Sequence, residues 1–268
     1  EKSVWIKIRM IDNQDKSVKL KKFKSIVNRL SRKFIDELVA QIDLEGLDQD
    51  DLPYLNDLIL DNVANRNADS YLCSEMLKMI PAKFEAANLS YEYLVTSLIA
   101  KLRQGIKITE AEDEAAFEAK KSEAGARRLA LAQKSLTVRK MTFLKFLTEC
   151  YVDKVVSSEQ FVDFIQEIIK PVGEASEEQI LYFVTILITL RIPSFELAAL
   201  KTYYDQLMAN DESWNSGRLR TIKQLLETSV NANWTQCTES VLKLYATIFE
   251  QPREVLSERT VLKRGYWQ

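Results

Sequence analysis

The chain has no histidine, and only three cysteines, five prolines and six glycines among 268 residues. Without histidine it lacks the side chain that most often serves as general base near neutral pH and as ligand for transition metals. Cys73, Cys150 and Cys237 stand far apart at helical positions with no Cys-x-x-Cys spacing, so nothing completes a zinc site. They read as buried free thiols of a reducing compartment. No Gly-rich phosphate loop and no Gly-x-Ser-x-Gly elbow occurs. The acidic run Glu112, Asp113, Glu114 has no accompanying ligand residues and reads as a solvated helix face. The expectation is a protein that is not an enzyme and needs neither cofactor nor metal.

Other shortages bound the fold. So few glycines and prolines leave little material for tight β-turns, while Leu, Glu, Lys and Ala are the commonest residues, which is an all-α composition. With 46% hydrophobic residues there is ample core material, but single cores rarely grow beyond ~250 residues, which favours an elongated array. A formal charge of −2 argues against nucleic-acid binding through bulk charge, because such domains usually have a pI above ~9. The longest apolar run, Ile180 to Leu190, is interrupted by Thr185 and Thr189 and falls short of the ~20 residues of a membrane span. No apolar leader opens the chain. It is therefore expected to be soluble, cytoplasmic, monomeric and excised from something longer.

What is present is helical periodicity. In Phe34-Ile-Asp-Glu-Leu-Val-Ala-Gln-Ile42 the apolar residues recur at spacings of three and four, and the pattern returns in Phe161–Ile169 and Val241–Phe249. Ser31, Ser90, Ser176 and Thr235 precede such runs and predict N-caps, Ser176 with Gln179 as a capping box. The runs amount to about ten helices of roughly eleven to eighteen residues, joined by connections of about two to eight, as in antiparallel helix pairs. Pro53, Pro171, Pro193 and Pro252 fall in the joints. Residues 108–136, rich in Glu, Ala, Lys and Arg without a wide apolar stripe, predict an exposed or loosely held helical bridge. Val4 to Arg9 alternates at period two and predicts a short strand or an extended arm.

One local excess of positive charge stands out: Lys16, Lys19, Lys21, Lys22, Lys24, Arg29, Arg32 and Lys33. It suits either contact with RNA phosphates, for which Lys19, Lys21, Lys22 and Lys24 are the candidates, or a solubilising face. With only Phe23 and Phe34 interleaved, stacking on bases is not supported.

The stretch Ser216-Gly-Arg-Leu-Arg-Thr-Ile-Lys-Gln-Leu-Leu-Glu-Thr-Ser-Val-Asn-Ala-Asn-Trp234 resembles a late helix of the middle domain of translation initiation factor 4G, which reads small-Arg-Ile-Arg-Phe-Met-Leu-Gln and ends in Asn-Trp. Further likenesses follow in family order. Ser25-Ile-Val-Asn-Arg-Leu-Ser31 is similar to the opening Ser-Ile-Leu-Asn-Lys-Leu-Thr, and Tyr54 to Asp69 to a helix carrying Val-Ile-Asp-Leu-Ile-Phe-Glu-Lys-Ala. The charged stretch Glu110 to Gln133 and then Thr142-Phe-Leu-Lys-Phe-Leu-Thr-Glu149 sit where the family has a charged excursion and a Phe-Ile-Gly-Glu-Leu turn. The chain departs from the pattern at Thr221, Thr228, Ser229 and Val230.

The resemblance implies a right-handed α-solenoid of about five antiparallel HEAT-type helix pairs. Residues 1–24 would be an N-terminal arm and the start of the first helix, and 25–268 a single middle domain. It implies a translation initiation scaffold that binds a DEAD-box RNA helicase of the initiation factor 4A type and promotes its activity, with RNA contact. Arg218, Leu219, Arg220 and Gln224 would face one helicase lobe, and Asn28, Arg29 and Trp5 the other. The family's cap-binding protein would be reached through regions outside this domain. Tyr93-Leu-Val-Thr-Ser-Leu98-Ile99 matches the family's docking pattern for that protein, but lies in an amphipathic run whose Leu94, Leu98 and Leu102 are expected in the core. Middle domains of mRNA decay and splicing proteins are alternatives, as is a purely structural interaction module docking through 110–133.

Overall fold

A computed structural model describes the backbone of residues 2–66, 69–118, 123–190, 197–232, 243–244 and 246–248, and the side chains of these apart from 2–14 and 107–135. Every regular element among them is helical. In chain order these are α1 (Lys2–Arg29), α2 (Ile35–Ala40), α3 (Leu52–Asn65), α4 (Ser70–Met79), α5 (Pro81–Ala86), α6 (Tyr91–Glu118), α7 (Glu123–Val152), α8 (Ser158–Ile168), α9 (Glu177–Leu190), α10 (Ala198–Ala209) and α11 (Gly217–Asn231). Short 3-10 turns at Gln49–Asp51, Val172–Glu174 and Asp211–Trp214 link some of them. The all-α expectation holds for these residues. No described helix is long and apolar enough to cross a membrane.

Two local expectations need correction. Val4 to Arg9 is not a strand or an extended arm but lies inside α1. No glycine precedes Gly46 and no proline precedes Pro53. A helix nucleated on the Phe23–Leu30 run therefore gains one hydrogen bond per added residue, with nothing to stop it, and a six-residue alternation does not outweigh that. Helix lengths also spread more widely than periodicity suggested, from 6 residues in α2 and α5 to 28 in α1 and α6 and 30 in α7. Amphipathic period reports where a helix is half-buried, and α7 from Lys140 to Glu149 is not: these residues are all buried, so no polar stripe marks that stretch. The bridge 108–136 is helical in backbone over 108–118 and 123–136; its side chains up to residue 135 lie outside the described set.

The chain divides into two compact units, the first comprising residues 1–115 with 150–156 and the second 116–149 with 157–268. In the first, α1 and α3 pack side by side in the same direction. Lys16 of α1 reaches Asp51 just before α3, Asn28 near the end of α1 accepts from Asn62 at 3.2 Å, and Arg66 donates to the Leu30 carbonyl at 3.1 Å. α6 follows α3 in the same sense: just before the two helices the Ser90 amide donates to the Gln49 side chain at 3.5 Å, and further along Asn56 donates to the Leu94 carbonyl at 3.0 Å and Lys101 pairs with Asp57. The return helices α2 and α4 touch each other as well as their neighbours α1 and α3. Ile26, Val27, Leu52, Leu55, Ile59, Val63, Cys73, Met76, Leu77 and Phe84 fill the space between with no measurable exposure. Each aliphatic side chain so buried contributes about 1.5–3 kcal/mol of hydrophobic free energy.

In the second unit α9 is buried on every face from Gln179 to Ile188, the expected fate of an apolar helix in the middle of a large helical body. Phe183 of α9 packs on Tyr203 of α10 with centroids 4.5 Å apart. The indole of Trp214 donates to the Leu207 carbonyl at 2.9 Å, closing α10 against the turn that leads to α11.

Caps explain most starts. Ser90 accepts from the Tyr93 amide at 3.1 Å and Ser176 from Gln179 at 3.3 Å, as expected, while the Gln179 side chain accepts from Lys170 instead of completing a box. Ser31 is not a side-chain cap: α2 begins later, at Ile35, after a turn closed by the Phe34 amide on the Ser31 carbonyl. Thr235 lies outside the described residues. Ser157 with Gln160 forms the reciprocal box that period reading passed over. Pro53 and Pro81 stand in the first turns of α3 and α5, where no amide donor is missed, and Pro193 and Pro252 lie outside the described residues.

Candidate interaction surfaces

The helical phase of α1 sorts the basic cluster. Phe23, Ile26, Val27 and Leu30 form its buried stripe, and Lys16 and Lys19 lie on the continuation of that stripe, seven and four residues before Phe23. They therefore turn toward the loop that follows α2. Lys16 pairs with Asp48 and, at 3.2 Å, with Asp51; Lys19 donates to the Glu45 carbonyl and pairs with Asp43 at 3.3 Å. The hydrogen bond from Lys16 is the main cause holding Asp48 below its ordinary carboxyl value, and in return Asp48 raises the Lys16 ammonium. Asp43 is lowered chiefly by the Glu45 amide, then by Lys19 and Lys22. Lys19 is thus not on the open basic face expected of it.

Lys21 lies on the face of α1 opposite the buried stripe, and Lys22 and Lys24 flank that stripe on either side, Lys22 toward Asp43; all three are exposed, as are Arg29, Arg32 and Lys33. Arg29 bonds back to the Ser25 carbonyl, at 3.3 Å, and Lys33 sits over the Phe34 ring at 5.0 Å. Asn28 is exposed at its edge but serves as a tie: its side chain accepts from Asn62 and its carbonyl from Arg66 at 3.4 Å. Trp5 stands on α1, and its side chain lies outside the described residues.

The motif on α11 divides in the same way. Ser216 caps the helix by accepting from the Leu219 amide at 3.1 Å. Leu219, Ile222 and Leu226 then face the core with at most 1% exposure. Leu219 is therefore a packing residue and not a contact surface, because the three-residue step from Leu219 to Ile222 puts both on the buried stripe. Arg218 is turned inward too: its guanidinium donates to the carbonyls of Ile248 at 2.9 Å and Thr247 at 3.3 Å, and lies 3.7 Å from Glu177. Beside Glu177, Glu178 accepts from Thr137 at 3.1 Å and from buried Lys140 at 3.4 Å. The first turn of α9 thus draws two cations, from α7 and α11, to the positive end of its own helix dipole. This clasp was not foreseen, since two adjacent glutamates resemble any solvated helix start.

What remains outward on α11 is a polar stripe: Arg220, Thr221, Gln224, Thr228 and Asn231. The hydroxyls of Thr221 and Thr228 turn back to the carbonyls of Gly217 and Gln224 at 3.0 and 2.8 Å, leaving Arg220, Gln224 and Asn231 as its extended groups. Leu94, Leu98 and Leu102 of α6 are core, as expected; of the residues that define the tyrosine-leucine pattern, Tyr93 is exposed while Leu98 and Ile99 are buried. Among the described residues no group of three or more metal-ligating side chains converges.

No protein-family model matches the chain, and no curated protein matches it significantly.

Proposed function

We propose that the chain is a scaffold of HEAT-type helix pairs, similar to the middle domain of initiation factor 4G, that binds a DEAD-box RNA helicase of the initiation factor 4A type and contacts single-stranded RNA, in the cytoplasm. One observation carries this reading: the segments similar to that domain follow one another in the family's order from Ser25 to Trp234. The first unit supports it, since co-directional α1, α3 and α6 with touching return helices α2 and α4 are the arrangement that stacked pairs require. In this reading about five pairs stack with a right-handed turn. Its action is positional. A scaffold holding both helicase lobes raises the effective concentration of one for the other and favours turnover of ATP and RNA without chemistry of its own.

The exposed members of the motifs would make the contacts: Arg220 and Gln224 on α11, and Arg29 on α1. Lys21, Lys22 and Lys24 would meet RNA phosphates. Calorimetry with the helicase tests this, the expected result being saturable binding that Arg220→Glu with Gln224→Glu weakens at least about tenfold, or ~1.4 kcal/mol. Absence of binding at micromolar concentrations would overturn the helicase reading. A platform of mRNA decay or splicing is the second reading. It is favoured by the uncharged, back-bonded Thr221 and Thr228 on the α11 face, where the resemblance leads one to expect an aromatic and an acid-arginine turn.

A further inference from the structure

The loop between α2 and α3 carries five acids within nine residues, Asp43, Glu45, Asp48, Asp50 and Asp51. It is held in place, not draped over the surface. Leu44 and Leu47 are buried, Lys83 anchors its entry by donating to the Ala40 and Ile42 carbonyls at 3.0 and 2.9 Å, and Asp48 with Asp51 closes a reciprocal capping box. Gly46 takes a φ of +76° at the turn, where an added Cβ would stand 4.0 Å from the Lys19 ammonium. The carboxylates therefore stand at fixed positions against Lys16 and Lys19.

We propose that this acidic loop is a built-in competitor for RNA on α1, its carboxylates occupying Lys16 and Lys19 where RNA phosphates would otherwise bind. The inference rests on the reading that α1 contacts single-stranded RNA. Carboxylate and phosphate oxygens are equivalent acceptors for an ammonium group, so an ordered row of aspartates is a ready substitute for a strand of phosphates. The occupied lysines stay within reach, with side chains 27% and 24% exposed, and the facing Asp48 and Asp43 are 56% and 48% exposed. Ion pairs this open to water are weak and salt-sensitive. A polyanion can displace them, but only by giving up part of its binding. The exposed Lys21, Lys22 and Lys24 would then make first contact, and full engagement of α1 would require the loop to yield its two lysines.

The test is fluorescence anisotropy of a single-stranded oligouridylate with the full chain over a salt series. Asp43→Asn/Asp48→Asn/Asp51→Asn keeps side chains able to cap, since asparagine replaces aspartate well at N-caps. With two lysines released at ~0.7 per phosphate, its logarithmic salt slope should steepen by about 1.4, so that its affinity falls about sevenfold further than wild type between ~50 and ~200 mM salt. A control with the same change of charge away from the lysines, Asp36→Asn/Glu37→Gln/Asp61→Asn, should keep the wild-type slope. In a Lys16→Gln/Lys19→Gln background the loop substitutions should no longer alter it. If the triple loop variant does not fold, Asp43→Asn alone should steepen the slope by about 0.7. Equal slopes for loop variant and control would overturn the inference and leave the RNA reading standing. No binding by any of the proteins at ~50 mM salt would overturn both.

Discussion

Replacement of Arg218 and Arg220 by alanine, one at a time, separates packing from recognition on α11. The two residues lie in the same turn and carry the same charge, yet the structure gives them different work. Arg218 donates to two backbone carbonyls, at 2.9 and 3.3 Å, and pairs loosely with Glu177 at 3.7 Å. Hydrogen bonds from a charged donor are worth about 1.5–3 kcal/mol each when well made. The longer of these counts for less, and a side chain still 31% exposed is partly rehydrated when its partners are lost. The ion pair adds at most about 1 kcal/mol. The expected cost of Arg218→Ala is therefore about 2 kcal/mol. Among the described residues Arg220 bonds to the Ser216 carbonyl at the start of its own helix, at 3.4 Å, and it is exposed, so Arg220→Ala should stay within about 0.5 kcal/mol of wild type. Urea denaturation followed by far-ultraviolet circular dichroism reads both, as shifts in midpoint at constant slope. Arg218→Lys should recover only part of the loss, since one ammonium on a stem one bond shorter cannot serve at once the two carbonyls that Nη2 reaches and the Glu177 carboxylate beside Nη1. Equal stability of the two alanine variants would refute the assignment of Arg218 to the fold. It also follows that a charge reversal at both positions confounds unfolding with loss of binding, and that Arg220 with Gln224 is the cleaner probe of the surface.

Two further outcomes are expected. α7 ends in a left-handed residue that is not glycine: Lys154 has φ +61°, with the Val155 amide on the Cys150 carbonyl at 2.8 Å and the Lys154 amide on that of Tyr151 at 3.0 Å. Because an L side chain in that region costs roughly 1–2 kcal/mol, Lys154→Gly should raise stability by up to about 1 kcal/mol after its greater unfolded-state entropy, and an unchanged urea midpoint would contradict this. The clasp between α1 and the acidic loop should also be pH-dependent. Asp43 and Asp48 are lowered from 3.8, so their contribution is complete above that value and is lost as pH falls through their folded values; Lys16 is raised from 10.5, so its contribution is complete below 10.5 and is lost as pH rises beyond it. Lys16→Gln/Lys19→Gln should flatten the acid limb of the stability profile, and an identical acid limb in wild type and variant would show that the clasp does not contribute.

The helical class was legible because it rests on local properties that no partner can reverse: scarce Gly and Pro, apolar residues at spacings of three and four, and serines placed to accept the first amides, as Ser90 and Ser176 do. The core positions of α6, Leu94, Leu98 and Leu102, followed from the same period, whereas Leu219 of α11, expected against a helicase lobe, is buried. Tertiary structure alone decided which charges are open. Eight basic residues between Lys16 and Lys33 read as one patch, but the helix turns Lys16 and Lys19 to the side on which Phe23 and Ile26 are buried, and a loop more than twenty residues further on supplies their counter-charges. Their phase relative to Phe23 was visible in the sequence; the acids that meet them were not. Arg218 was claimed in the same way, by carbonyls at Thr247 and Ile248 and by Glu177, all distant along the chain. A side chain's propensity and period are set by its neighbours in sequence, whereas its freedom to bind a partner depends on whether something remote in sequence has already satisfied it.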